Sequence, residues 1–298
     1  MEHIEEAGIH SGDSACVIPP HTLSEEIKEQ IHHMTVALAK ELNVVGLMNI
    51  QYAIKDGEIF VLEVNPRASR TVPFVSKATG VPLAKFATYV MMGHSLKELD
   101  PWSKRRWGFT SIKEVVLPFN RFPGVDVFLG PEMRSTGEVM GIDLSFGMSF
   151  LKAQAGAGQI LPKDGRVFIS VNDRDKPKIV EVAKGFEALG FELIATRGTA
   201  RFLNNYGIKS KIVNKVYEGR PNVLDMIKNR EIDLIINTKS GKLTARDSSS
   251  LRRATLLYNI PYTTTVAAAK AMVMALKELK QGKGYQVRSI QEYYSGEK

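Results

Sequence analysis

From Gly165 onward the chain alternates short apolar runs with segments of helical periodicity, and few folds accommodate that pattern. Val167–Val171, Phe191–Thr196, Ile212–Val213 and Asp233–Asn237 read as strands. Lys178–Leu189, Ala200–Tyr206, Val223–Lys228, Ser250–Tyr258 and Val266–Lys280 read as helices. Gly190 and Gly207 follow two of these helices, where a left-handed backbone ends the last turn. Strands alternating with helices specify a doubly wound parallel sheet, an α/β fold. Ligands of such sheets bind beyond the carboxyl ends of the strands. Two loops there suit an anion. Thr196-Arg197-Gly198-Thr199 and Asn237-Thr238-Lys239-Ser240-Gly241 each lead from a strand toward a helix N-terminus, whose free N–H groups attract phosphate. The alternative is that their hydroxyls merely cap the helices. With Lys176 and Lys215 nearby in sequence, the loops favour a phosphate site.

The N-terminal half has a different texture. Leu62-Glu63-Val64-Asn65-Pro66-Arg67-Ala68-Ser69-Arg70 puts a carboxylate and an amide two residues apart on one strand face, followed by arginines. Oxygen ligands shared with phosphates suit Mg²⁺, and arginines bind phosphate oxygens. The same stretch also fits an ordinary strand end with a solvated tail. Residues Gly46 to Asn65 read as a hairpin around Lys55-Asp56-Gly57. A three-residue loop with Gly57 left-handed pairs Gln51 with Val61 and sorts the faces. Ile50, Tyr52, Ile54, Phe60, Leu62 and Val64 then share one face, and Asn49, Gln51, Glu63 and Asn65 the other. Upstream, Thr22-Leu23-Ser24-Glu25 has capping-box spacing before a helix carrying Ile27, Ile31, Met34, Leu38 and Leu42. Its adjacent His32 and His33 read as surface residues. Leu83–Met92 reads as another helix.

A length of 298 residues allows about two domains. With 44% hydrophobic and 24% charged residues, the composition is that of an ordinary globular protein. No stretch is long and apolar enough for a membrane span, and no signal peptide is evident. A single cysteine, Cys16, rules out an intramolecular disulfide and suits the cytoplasm; it reads as buried filler. The net charge of +8 is dispersed. The cluster Trp102-Ser103-Lys104-Arg105-Arg106-Trp107 reads as a solvated loop, so neither a nucleic-acid nor a membrane partner is expected. The expected domains are 1–98, an irregular segment over 99–160 with a strand at Lys113–Leu117, and 161–298.

Several longer stretches carry a family resemblance: Glu2–Ala15 (EHIEEAGIHSGDSA), Gly46–Gln51 (GLMNIQ), Glu63–Leu83, Lys113–Phe119, Pro123–Gly124, Gly130–Gly141, Val213–Arg220 and Ile236–Gly241. Together they resemble the C-terminal part of the carbamoyl phosphate synthetase large subunit. The resemblance implies the carboxyl part of an ATP-grasp domain followed by a methylglyoxal-synthase-like allosteric domain. It implies an ATP-dependent ligase that phosphorylates carbamate, with ATP and Mg²⁺ or Mn²⁺ as cofactors. Gln51, Glu63 and Asn65 would ligate the metal, Gly8, Ile9, His10 and Ser11 would line the nucleotide, and Arg70 would steady the transferring phosphoryl group. Ser170, Lys176, Thr196, Thr199, Lys215, Asn237, Thr238 and Ser248 would hold an effector nucleotide, UMP or IMP. Glu5, Asp13, Glu114, Tyr262 and Thr264 match an ornithine site. The implied partners are the remaining ATP-grasp domains and the glutaminase small subunit, and the fragment alone is expected to be inactive. The alternative is a free-standing nucleotide- and ornithine-binding module. A methylglyoxal synthase is disfavoured, since Gly219-Arg220-Pro221-Asn222 lacks its carboxylate base. Lys239 departs from the family's small hydroxyl residue.

Overall fold

The computed structural model describes residues 1–5, 8–104, 108–117, 129–130, 132–238, 245–282, 284 and 286–295. The basic stretch Arg105-Arg106-Trp107, the turn signals Pro118, Pro123-Gly124 and Pro131, and the loop residues Lys239, Ser240 and Gly241 lie outside these residues. The side chain of Ser248 lies outside them too. The strands are β1 (Glu2–His3), β2 (Cys16–Ile18), β3 (Asn49–Lys55), β4 (Glu58–Asn65), β5 (Thr110–Val116) and β6 (Gly137–Asp143). They continue with β7 (Arg166–Ser170), β8 (Glu192–Thr196), β9 (Lys211–Val213), β10 (Leu234–Asn237) and β11 (Tyr262–Thr263). The helices begin with α1 (Glu25–Glu41), α2 (Val72–Thr79), α3 (Leu83–Met91), α4 (Leu96–Leu99), α5 (Phe146–Gly156) and α6 (Lys176–Ala188). They end with α7 (Arg197–Asn205), α8 (Val223–Lys228), α9 (Ala245–Leu257), α10 (Val266–Lys280) and α11 (Ile290–Ser295). Two compact units result. One comprises Met1–Glu2, Val17–Ser111 and Gln286–Lys298; the other comprises His3–Cys16 and Ile112–Tyr285.

In the first unit β3 and β4 form the antiparallel hairpin. Asp56 and Gly57 both have positive φ, 54° and 83°, as a two-residue type I′ turn requires. Lys55 therefore pairs with Glu58, and Tyr52 with Val61. This corrects the expected three-residue loop: Asp-Gly satisfies the tighter turn, whose twist matches the strands better. Phe60 consequently lies opposite Ala53, not on the face of Tyr52 and Ile54. The register then shifts, so that Gln51 pairs with Glu63 and Asn49 with Asn65, leaving Leu62 as the extra residue of a bulge. The bulge puts the polar residues back on one face, a task that the sequence pattern assigns to the loop.

Helix α1 is capped by Ser24, whose hydroxyl accepts the Ile27 N–H at 3.3 Å. The Thr22 cap does not form, because the Glu2 carboxylate accepts both the hydroxyl and the N–H of Thr22. No residue of α1 is buried; His32 and His33 are exposed. The buried apolar side chains nearby in sequence, Phe74, Val81 and Phe86, come from α2, α3 and the link between them. The ring of Tyr293 on α11 meets Phe109 edge-on at 5.0 Å between centroids.

The second unit holds the parallel sheet, in the order β11-β10-β7-β8-β9. Val167–Ile169, Leu193–Ala195 and Leu234–Ile236 are buried throughout, as strands covered on both faces must be. Phe168, Ile194 and Ile235 pack with Val223 and Ile227 of α8 and Leu251 of α9. The two-residue β11 is too short to leave a periodic signal. Residues 99–160, expected to be irregular, include β5, β6 and α5. Gly137 opens β6, and Gly141 lies inside it. A Cβ on Gly141 would stand 2.0 Å from the Ser149 carbonyl oxygen, so the glycine lets α5 press onto the strand. Cys16 is fully buried, its thiol donates to the Ser14 carbonyl at 3.3 Å, and burial pushes its pKa up to about 12.

Candidate functional site

The candidate residues fall into four groups. On the hairpin, the cross-strand partners Gln51 and Glu63 share a face, and Asn65 follows two residues on from Glu63. Asn65 Nδ2 donates to Glu63 Oε1 at 3.1 Å. One carboxylate with two amide oxygens fits a hard cation that takes its remaining oxygens from phosphate and water. Among the described residues no group of three His, Cys, Asp or Glu side chains gathers, so this mixed donor set is the candidate metal corner. Arg67 N–H closes a turn on the Asn65 carbonyl at 2.8 Å, and Arg70 is exposed just before α2.

Gly8, Ile9, His10 and Ser11 lie in the second unit. Gly8 has φ 94°, a conformation that admits few other residues. Ile9 is buried. His10 Nδ1 accepts the Gly12 N–H at 3.0 Å, and the wholly buried Lys113 donates to the Ser11 carbonyl at 2.9 Å. The segment is therefore held rigidly by its own side chains and by β5.

At the carboxyl ends of β7, β8 and β10, a cavity of about 320 Å³ brings together Ser170, Lys176, Thr196, Thr199, Lys215, Asn237 and Thr238. Strand order reverses between β7 and β10, where Ser170 and Asn237 are register partners; open α/β sheets bind ligands at such a point. Thr199 Oγ1 accepts the Val171 N–H at 3.3 Å, and Thr196 Oγ1 donates toward Thr199 Oγ1 at 3.3 Å. Thr196, at the N-cap of α7, makes no capping hydrogen bond, so its hydroxyl is turned to the cavity cluster and not to the helix end. Lys176 Nζ pairs with Asp173 at 2.6 Å and holds that exposed carboxyl below its usual pKa. Asn172 and Asp173 also line this cavity. Sequence reasoning missed both; the Asn-Asp pair one residue beyond the end of β7 was the available signal.

A further set lines a cavity of about 190 Å³ in the same unit: Glu5, Asp13, Glu114, Tyr262 and Thr264. Gln154 and Arg252 line it too, and neither was foreseen. Asp13 is buried and accepts the N–H groups of Arg134 and Ser135 at 2.7 and 2.8 Å. It pins the loop before β6 as well as facing the cavity. Gln154 Nε2 donates to Glu114 Oε2 at 2.5 Å. Burial raises the Glu114 pKa from 4.5 to about 7 against the pull of the Val115 N–H, Lys113 and Gln154. Burial likewise raises Tyr262, whose hydroxyl accepts from Asn237 Nδ2 at 3.5 Å. Cationic ligands suit three carboxylates in one enclosed space.

The family model of the carbamoyl-phosphate synthase L chain ATP-binding domain matches residues 1–99. The MGS-like domain model matches residues 178–264. The carbamoyl phosphate synthase large chain, C-terminal section, of Aquifex aeolicus is 54% identical over 99% of this chain and 59% of its own length. The large chain of Methanosarcina acetivorans is 52% identical over 99% of this chain and 28% of its own. That of Methanosarcina barkeri is 51% identical, with 99% of this chain and 74% of the relative covered. The chain thus spans about three-fifths of the first of these relatives and about a quarter of the second. No described helix is long and apolar enough to cross a membrane.

Proposed function

The chain belongs to the carbamoyl phosphate synthase large-chain family, and from that premise we propose that it serves ATP-dependent carbamoyl phosphate formation in two ways. Its hairpin supplies ligands for Mg·ATP, and its parallel-sheet unit is an effector sensor. The observation that carries the reading is the single cavity lined by Ser170, Lys176, Thr196, Thr199, Lys215, Asn237 and Thr238. Two lysines neutralise a phosphate, the hydroxyls and amide bind its oxygens or a ribose, and the α7 N-terminus adds its dipole. A nucleoside monophosphate, UMP or IMP, fits that chemistry.

At the hairpin, Glu63, Gln51 and Asn65 would hold the divalent ion, and the bound ion neutralises charge on the ATP phosphates. The chain's own part is positional: Glu63 and Asn65 keep a fixed spacing, and Arg70 would bring a guanidinium to the transferring phosphoryl oxygens. Phosphoryl transfer depends mostly on such positioning and charge neutralisation. Gly8–Ser11 would line the nucleotide, and the partners would be the family's other ATP-grasp domains and a glutaminase subunit. The cavity at Glu114 would take ornithine, its carboxylates facing the ammonium groups. The domain limits that go with this reading are 1–98, 99–160 and 161–298.

Calorimetric titration of the chain with UMP and with IMP tests the sensor. The expectation is saturable binding weakened about tenfold to hundredfold in Lys176→Met, the worth of a charge-assisted hydrogen bond. Binding indifferent to Lys176→Met and Thr199→Val contradicts it. A fluorescent ATP analogue titrated with and without Mg²⁺ tests the corner: Glu63→Gln removes the metal-dependent part if the assignment holds.

A further inference from the structure

The cavity at Glu114 is built unlike a simple acidic pocket. Gln154 is buried on α5, and its Nε2–H meets the Glu114 carboxyl at 2.5 Å. Much of the remaining wall is apolar, including Leu117, Phe150, Leu256 and Met272. A carboxylate in such surroundings is poorly solvated, and a cation beside it restores what water would supply. Among the described residues, the charged and titratable groups around it are Glu5, Asp13, Lys113 beside it on β5, Arg252 of α9, Tyr262 of β11 and Cys16 of β2. Lys113 is committed to the Ser11 carbonyl, and Asp13 to two backbone N–H groups. Glu114 faces the same cavity and meets Gln154 and the Val115 N–H.

We propose that Glu114 and Gln154 form a proton-coupled anchor, in which a cationic amine ligand displaces the Glu114 proton on binding while Gln154 holds the resulting carboxylate. This rests on the reading of the cavity as an ornithine site. The proton balance is simple: the neutral carboxylic acid and the already protonated ammonium group give an ion pair, and one proton leaves to solvent. Burial that lifts Glu114 to about 7 places the exchange in the physiological range. Below that value the ligand must first expel a proton, so apparent affinity rises with pH until the acid is ionised without help.

The test is calorimetry of L-ornithine binding to the full chain in two buffers of different ionisation enthalpy, from pH 6 to pH 8. The proposal expects close to one proton released at pH 6, little at pH 8, and affinity about tenfold tighter at pH 8. In Gln154→Met the donor to the carboxylate is lost, so binding weakens at pH 7 and recovers toward the unmodified value at higher pH. A purely packing role for Gln154 would instead weaken binding equally at every pH, which overturns its part. Ornithine binding with no proton release and no pH dependence overturns the anchor and leaves the site reading standing. No ornithine binding at any pH removes the site reading, and the anchor falls with it.

Discussion

The hairpin of β3 and β4 and the parallel sheet of β7 to β11 present their candidate side chains in opposite ways. In the sheet, Val167–Ile169 and Leu234–Ile236 are buried, and strand ends deliver Ser170, Thr196 and Asn237 to one cavity. The packing of the core sets where those residues stand. In the hairpin, Ile54, Phe60, Val61 and Leu62 are 39–49% exposed. There the positions of Gln51, Glu63 and Asn65 follow from a two-residue turn and a one-residue bulge. A site carried by a buried sheet is thus sensitive to core volume, whereas a site carried by an exposed hairpin is sensitive to backbone conformation.

That contrast can be broken most readily in the core. Ile235→Ala is expected to destabilise the second unit by about 2–5 kcal/mol, the range for buried large-to-small changes. Phe60→Ala, at an exposed hairpin position, should cost well under half as much. Urea unfolding of the two variants measures both, and equal losses would erase the distinction. The hairpin should respond instead to Gly57→Val, which places a β-branched residue at φ 83°. A loss of about 1–3 kcal/mol is expected, accompanied by weaker metal-dependent ATP-analogue binding with UMP binding unchanged. Loss of both together would mean that the regions do not respond separately.

Smaller effects refine the picture of the sheet. Asn222 caps α8 through the N–H groups of Leu224 and Asp225, while Asp225 returns a bond to the Asn222 N–H. Asn222→Ala should cost about 1 kcal/mol by thermal or urea unfolding. The elevated pKa of Glu114 makes a signed prediction. Between pH 4.5 and about 7 the native acid keeps a proton that the unfolded chain loses. Stability therefore falls as pH rises across that window, and Glu114→Gln should flatten this part of the profile. Least in size, Asp173→Asn removes the anion that competes for Lys176 and should tighten UMP or IMP binding about twofold to fivefold.

Much of the sheet was legible because buried strands write themselves as apolar runs and glycines mark helix ends. The helices at Val223–Lys228 and Val266–Lys280 stand where their periodicity predicts them. The hairpin was half legible. Its polar residues could be assigned to one face, but two devices give the same sorting, and the choice between turn and bulge depends on backbone energies that no side-chain pattern records. Thr22 and Ser24 pose a similar ambiguity, decided by a carboxylate from Glu2, distant in sequence. Gln154 left no signal at all: a glutamine in an apolar helix gains meaning only when β5 brings Glu114 beside it. Gly141 shows a related limit, because a glycine that admits a close neighbour looks the same in sequence as one that breaks a strand.

The sensor role proposed for the second unit depends on a phosphate-bearing ligand sitting at the strand ends of the parallel sheet. Hydrogen–deuterium exchange with and without saturating UMP or IMP locates it directly. The account predicts slowed exchange after β7, at the start of α7 and at the end of β10, with the hairpin unaffected. Protection confined to other segments, or none at saturation, would contradict it.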